Sequence, residues 1–159
     1  MIQRVQSLFL IGVVICLVAS LFFPIWQKID LESQTGAVLK AFYTELHTQD
    51  QAVVQEYFPT VVLFVLAVVG MVIALFEILA YRSRINQMKL GALNSLVLAG
   101  FLGLAVYFTF RMEKMVSVAG EGNYGFGMYL PAIALILNLL ANRFIRKDEA
   151  LVRSVDRIR

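Results

Sequence analysis

Four apolar blocks, each about as long as a bilayer is thick, leave this chain few ways to fold. They run Leu8 to Trp26 ("LFLIGVVICLVASLFFPIW"), Thr60 to Tyr81, Leu90 to Phe110 and Tyr124 to Ile145. The first and third carry no charge, the second only Glu77, and the fourth none before Arg143 near its end. A helix rising 1.5 Å per residue needs ~20 residues to cross ~30 Å of hydrocarbon, and short of a closed barrel only a helix satisfies its own backbone there. Composition agrees. Apolar residues make up 60% of the chain and charged ones 16%, against roughly 25% charged in a soluble domain, and the mean hydropathy is +0.77. The expected fold is an all-α membrane protein: a single domain over residues 1–159, built as a four-helix transmembrane bundle. Its spans are about 8–26, 60–81, 90–110 and 124–145, with a small hairpin or loop region outside and a C-terminal amphipathic helix in the cytoplasm.

Pro131 predicts a kink or an irregular turn near the start of the fourth span, because proline removes one intrahelical hydrogen bond. Pro59 falls where a first-turn proline costs nothing. Cleavage of the first block as a signal peptide is disfavoured, since apolar sequence runs past Val18-Ala19-Ser20 as far as Trp26. Lipid attachment at Cys16 is weaker still, bulky Ile15 standing before it.

Charge orients the spans. The amino terminus, the 82–89 loop and the tail together hold ten Lys and Arg, whereas the other side holds four, Lys28, Lys40, Arg111 and Lys114. The positive-inside rule then puts both termini in the cytoplasm and the loops 27–57 and 111–123 outside. Trp26, Tyr57, Phe58, Tyr107 and Tyr124 fall at the outer span ends, where an interfacial aromatic belt belongs. Within the first outer loop, "KIDLESQTGAVL" alternates about a Ser-Gln-Thr-Gly turn and predicts a hairpin. It feeds a short helix or strand, because Val38, Phe42 and Leu46 also fit helical spacing. The glycine-rich "AGEGNYGFG" reads as a loop and lacks the preceding strand that a phosphate cradle needs.

Residues that carry chemistry are few. One histidine, His47, and one cysteine, Cys16, supply neither a metal cluster nor a haem ligand pair, so no metal or cofactor is expected. No HExxH, GxSxG or GKS/T motif occurs, and the chain is read as neither an enzyme nor a nucleic-acid binder. With no internal disulfide available, packing alone is expected to hold the outer loops.

One intramembrane site remains. Glu77 lies within the second span, where an ionisable residue is a functional hypothesis by default, and shares a helical face with Ala67, Gly70, Ala74 and Tyr81. Asn94 and Ser95, on the same general face as Ala99, Gly103 and Tyr107, and Asn138 and Asn142, four apart, lie at matching depth. The expected knot is Glu77, Asn94, Asn138, Asn142 and Arg143. Its plain reading is interhelical glue, at about 0.6 kcal/mol per hydrogen bond; its sharper reading is a proton or cation site.

The tail, "NRFIRKDEALVRSVDRIR", has six basic and three acidic residues. Arg143, Arg146 and Lys147 suit a headgroup anchor. Beyond them Leu151, Val155 and Ile158, joined by Val152, fall on one helical stripe, and Glu149 precedes Arg153 by four. The tail therefore either continues the fourth helix or restarts after a bend at Lys147 and Asp148, as an amphipathic helix in need of a surface. Acidic Asp148, Glu149 and Asp156 favour a protein surface over lipid.

Four strings, "MIQRVQSLFL", "FFPIW", "GMYLP" and "ANRFIRKDEALVRSVDRIR", resemble a family of small four-span inner-membrane proteins of Gram-negative bacteria, described as a domain of unknown function. The likeness runs end to end, departing at Ala150, where the family usually has a charged or polar residue. It implies the same four-helix topology with a variable first outer loop, and supplies no activity or site residues.

Two functions follow. One is a non-enzymatic membrane subunit or scaffold whose tail docks on the inner leaflet, on a membrane or cytosolic protein, or on a second copy of the chain. The alternative is a small transporter or channel built on the Glu77 cluster.

Overall fold

Each apolar block contributes to a helix, yet the chain is not all-α. The computed structural model describes residues 2–29, 35–47, 53–56, 59–80, 83–116 and 121–156. Four helices, α1 (Ile2–Ser20), α2 (Val61–Leu79), α3 (Arg84–Met115) and α4 (Phe126–Asp156), are joined by five short strands: β1 (Trp26–Ile29), β2 (Gly36–Leu39), β3 (Thr44–His47), β4 (Val53–Glu56) and β5 (Asn123–Tyr124). Three helical stretches, Val61–Leu79, Arg84–Met115 and Phe126–Val152, are long and apolar enough to cross a membrane, and Val5–Ser20 is a shorter apolar helix. α1 and α3 each pack against both α2 and α4, so each helix has two principal neighbours.

The strands form one antiparallel sheet in the order β4-β3-β2-β1-β5. The expected hairpin is β1 with β2, Ile29 opposite Gly36 and Trp26 opposite Leu39. Gly36 is required there, because a Cβ would run into the Lys28 carbonyl. Of the two readings of the following segment, the strand holds: Val38 and Leu46 lie on β2 and β3, which pair. β5 closes the sheet from the third loop, with Tyr124 opposite Trp26.

This sheet corrects the first span. The block from Leu8 to Trp26 is not one helix: α1 stops at Ser20, whose hydroxyl donates back to the Leu17 carbonyl at 2.7 Å. Pro24 follows, and Ile25 and Trp26 enter the sheet. Trp26 is 1% exposed, so it is a core residue and not part of an interfacial belt. It packs with Ile25, Ala37, Leu39 and Ala41 against Leu63, Ala67, Phe101, Ala105 and Phe108. Hydropathy is the same for a residue buried under a sheet as for one bathed in lipid, which is why the two merge in sequence. Tyr107 and Tyr124 are exposed; Tyr57 and Phe58 lie outside the described residues.

More than packing holds the sheet to the helices. Lys28 forms a 2.8 Å ion pair with Glu113 near the end of α3, and the Ala41 carbonyl accepts a hydrogen bond from the Phe64 N–H at 3.0 Å. The latter satisfies one of the orphan donors of the first turn of α2. Lys40 lies 3.1 Å from the Tyr43 hydroxyl and 3.0 Å from a Glu45 carboxyl oxygen. At the far end of the helices, α4 is helical from Phe126 through Pro131 and on to Asp156, so the tail continues the fourth helix and does not restart after Lys147 and Asp148.

Candidate functional site

The half of the helices away from the sheet has an interior richer in amides than its sequence suggests. On α3 the buried positions Gln87, Gly91, Asn94, Leu98, Phe101 and Ala105 repeat every three or four residues and turn this stripe inward. Ala99, Gly103 and Tyr107 fall off it and are exposed, which corrects the expectation that they share a face with Asn94. Inward positions of α2 are Ala67, Gly70, Ala74 and Glu77. Asn138 and Asn142 are the buried pair of α4.

Asn138 is the centre of the network. Its Nδ2 donates to the Gly91 carbonyl at 2.8 Å and to Ser95 Oγ at 2.9 Å, while its Oδ1 accepts from Asn94 Nδ2 at 3.3 Å. Ser95 in turn donates to the Gly91 carbonyl at 2.9 Å. The Asn142 amide lies over Gly91, in space that a Cβ at that position would occupy. Glycine at 91 thus lets α4 bring its amides onto the α3 backbone.

Glu77 behaves differently. It is fully buried, yet neither carboxyl oxygen has a hydrogen-bond partner. The contact made at this residue is to its backbone: Gln87 Nε2 donates to the Glu77 carbonyl at 2.9 Å. The Glu77 carboxyl therefore makes no hydrogen bond to the amides of the expected knot. Asn94 Oδ1, Asn142 Oδ1 and Gln6 Nε2 are likewise buried without partners. Gln6 and Gln87 went unnoticed in sequence because each sits near a helix start among polar residues; the three-and-four spacing from Gln87 to Leu98 is the signal that could have found the second of them.

Arg143 stays out of this interior. It is exposed and lines, with Ala92, Ser95, Leu139, Asn142 and Arg146, a groove of about 360 Å³ between α3 and α4. Of the five expected cluster residues, two, Asn94 and Asn138, are bonded to each other, Asn142 and Glu77 are buried nearby along α3, and Arg143 is at the surface.

The tail is tied down by a residue far away in sequence. Arg84, the first residue of α3, places Nη2 3.1 Å from Asp148 Oδ2 and Nη1 4.0 Å from a Glu149 carboxyl oxygen. It also donates to the Asp148 carbonyl at 3.1 Å. Two tail carboxylates are therefore engaged within the chain. Of the expected docking stripe, Leu151 and Val152 are about half exposed; the side chains of Arg153 and Val155 and the whole of Ile158 lie outside the described residues. Among the described residues no group of three His, Cys, Asp or Glu could hold a metal ion.

Among the described residues the geometry offers a bonded amide network, a buried carboxyl without a hydrogen-bond partner, a basic groove and a helical extension. No curated protein matches the chain in sequence. Helices and sheet together fall within a single family match that covers residues 2–158, and the chain belongs to that family, the Domain of unknown function (DUF4293).

Proposed function

We propose that the chain is a non-enzymatic subunit or scaffold of the bacterial inner membrane, with both termini cytoplasmic, that docks a partner protein on its helical tail. The observation that carries this reading is the extension of α4 to Asp156 without a break, braced by Arg84, with Leu151 and Val152 left exposed. Among the described side chains Ile145 is the last deeply buried apolar residue of α4, and at 1.5 Å per residue Leu151 stands roughly 9 Å beyond it. The headgroup layer is only about 5–7 Å deep on each side. Continued along the bilayer normal at that rise, the helix carries this apolar pair past the headgroup layer, where a protein surface is the natural cover. Engagement of Asp148 and Glu149 by Arg84 leaves the apolar stripe, and not the acidic residues, to make the contact.

Membrane residence is supported by the exposed apolar girdle of the helices, which includes Leu8, Ile15, Val65, Leu75, Leu96 and Ile136. The excess of basic residues at the tail end supports the orientation. The experiment is co-purification in mild detergent from the native host. Leu151→Ser with Val155→Ser should keep the protein in the membrane and remove a stoichiometric partner; a variant that retains every association sinks the docking reading. A reporter active only outside the cytoplasm, fused after Arg159, should be silent.

A second reading, a small transporter or channel, is favoured by one observation: the buried Glu77 carboxyl has no partner for either oxygen, as a site awaiting a proton or cation would. Ion flux in proteoliposomes that disappears with Glu77→Gln would establish it.

A further inference from the structure

We propose that the groove between α3 and α4 binds the headgroup of an anionic glycerophospholipid, its phosphate held between Arg143 and Arg146. These arginines are three apart on α4, so their guanidinium groups rise from one helix face. Both are exposed, and neither is paired with a carboxylate among the described residues, in contrast to Arg84, which is engaged by Asp148 and Glu149. No acidic residue lines the groove. Its remaining walls are Ala92 and Leu139 on the apolar side and Ser95 and Asn142 on the polar side, around about 360 Å³.

The groove is thus divided as a phospholipid is divided. Leu139 is exposed beside the apolar girdle and continues it along α4 toward the two arginines, so an acyl chain lying on Leu139 brings its phosphate to the level of Arg143. Guanidinium groups bind phosphate oxygens through paired N–H donors, with a geometry that lysine lacks. Asn142, nine-tenths buried, gives the groove a polar floor that an acyl chain alone would leave unused. Basic pockets between membrane helices on the cytoplasmic side are suited to anionic headgroups in general. A zwitterionic lipid gains less, because its own ammonium faces the same two cations. The inference rests on the membrane reading above and adds a ligand class to it.

The test uses the full chain, purified in mild detergent and titrated with phosphatidylglycerol or phosphatidylcholine, with lipid adducts read by native mass spectrometry and the unfolding midpoint read in parallel. Phosphatidylglycerol should bind the wild type and raise its midpoint, and phosphatidylcholine should do so weakly. Arg143→Gln with Arg146→Gln should weaken phosphatidylglycerol about thirtyfold, the loss expected for two basic charges at a membrane surface. Arg111→Gln with Lys114→Gln, an equal charge change at the sheet end, should not. Glycerol phosphate without acyl chains should compete poorly; if it competes as well as the lipid, the site is a free-phosphate site and the acyl wall is irrelevant. Equal binding of the two lipids, or equal weakening by both double variants, overturns the proposal. Should the Arg143 and Arg146 variant fail to fold, the lipid preference of the wild type and its loss in high salt decide the matter alone. Alkaline carbonate extraction tests membrane residence separately: a protein that stays in the pellet yet shows no lipid preference removes the headgroup site and leaves the membrane reading standing.

Discussion

Arg84 Nη2 and Asp148 Oδ2 stand 3.1 Å apart, which fastens the first turn of α3 to the tail of α4. A cation at a helix N-terminus faces the positive end of the helix dipole, so Arg84 is poorly placed for α3 by itself. Asp148 and Glu149 offset that cost and gain a brace for the tail in return. Each partner is partly exposed, which limits the pair to at most ~1 kcal/mol. Arg84→Ala should therefore leave global unfolding almost unchanged while raising cleavage of the tail by trypsin severalfold. Reversal of the pair, Arg84→Asp with Asp148→Arg, should restore much of the protection. Unchanged cleavage in Arg84→Ala would show that the tail is held by something else.

Gly122 and Trp26 make a second such relationship across the sheet end. A Cβ on Gly122 would run into the Trp26 indole, and Trp26 is the single tryptophan of the chain. Gly122→Ala should force β5 away from β1 at a cost of ~1–3 kcal/mol. Tryptophan emission reports this directly: blue-shifted in the wild type, it should move to the red in the variant. Emission that stays put would mean that the loop yields and the sheet does not.

How far the sequence reaches can be judged on such contacts. Three of the helices were legible as long apolar runs, whereas the first run overshoots α1 into the sheet, and the β1–β2 hairpin was legible because its turn chemistry is local. The β1–β5 pairing was not, since Trp26 and Tyr124 are far apart in the chain and two-residue strands leave no periodic trace. Spacing predicts the tail stripe, of which the described side chains are Leu151 and Val152, but spacing along one helix carries no sign of what Asp148 and Glu149 pair with. Asp148 and Glu149 look free for a partner until Arg84, 64 residues away, is folded against them. Within the helices, charge drew attention to Glu77, and the structure shifts the bonded centre to Asn138.

Lys40 gives a pH dependence with a definite sign. Its ammonium is held above the ordinary lysine range chiefly by the hydrogen bond to the Tyr43 hydroxyl, with Glu45 adding to it and partial burial opposing. A raised folded value means that this contribution is whole below the unfolded pKa of about 10.4 and is lost as pH rises through the folded one. Lys40→Met should flatten the fall in sheet stability as pH rises above the ordinary lysine value of about 10.4, read as the midpoint of the Trp26 emission change. A variant whose profile matches the wild type would exclude Lys40 as the source.

Asn138 and Glu77 should part company on substitution. Asn138 makes three hydrogen bonds, and at ~0.6 kcal/mol each for a helix pair in a membrane Asn138→Ala should lower stability in detergent by about 2 kcal/mol, with the Gly91 carbonyl left to Ser95. Glu77 has no side-chain partner to lose. Exchanging a buried, unpaired polar group for an apolar one of similar shape is neutral or stabilising, so Glu77→Leu should leave stability unchanged or raise it by up to ~1 kcal/mol, and Glu77→Gln should be close to neutral. Thermal unfolding of the three variants beside the wild type, in one detergent and at one pH, orders them. If Glu77→Leu unfolds more readily than Asn138→Ala, the carboxyl is partnered in the working protein by a bound ion or water. The weight of function would then move from the tail to the interior, toward the transporter.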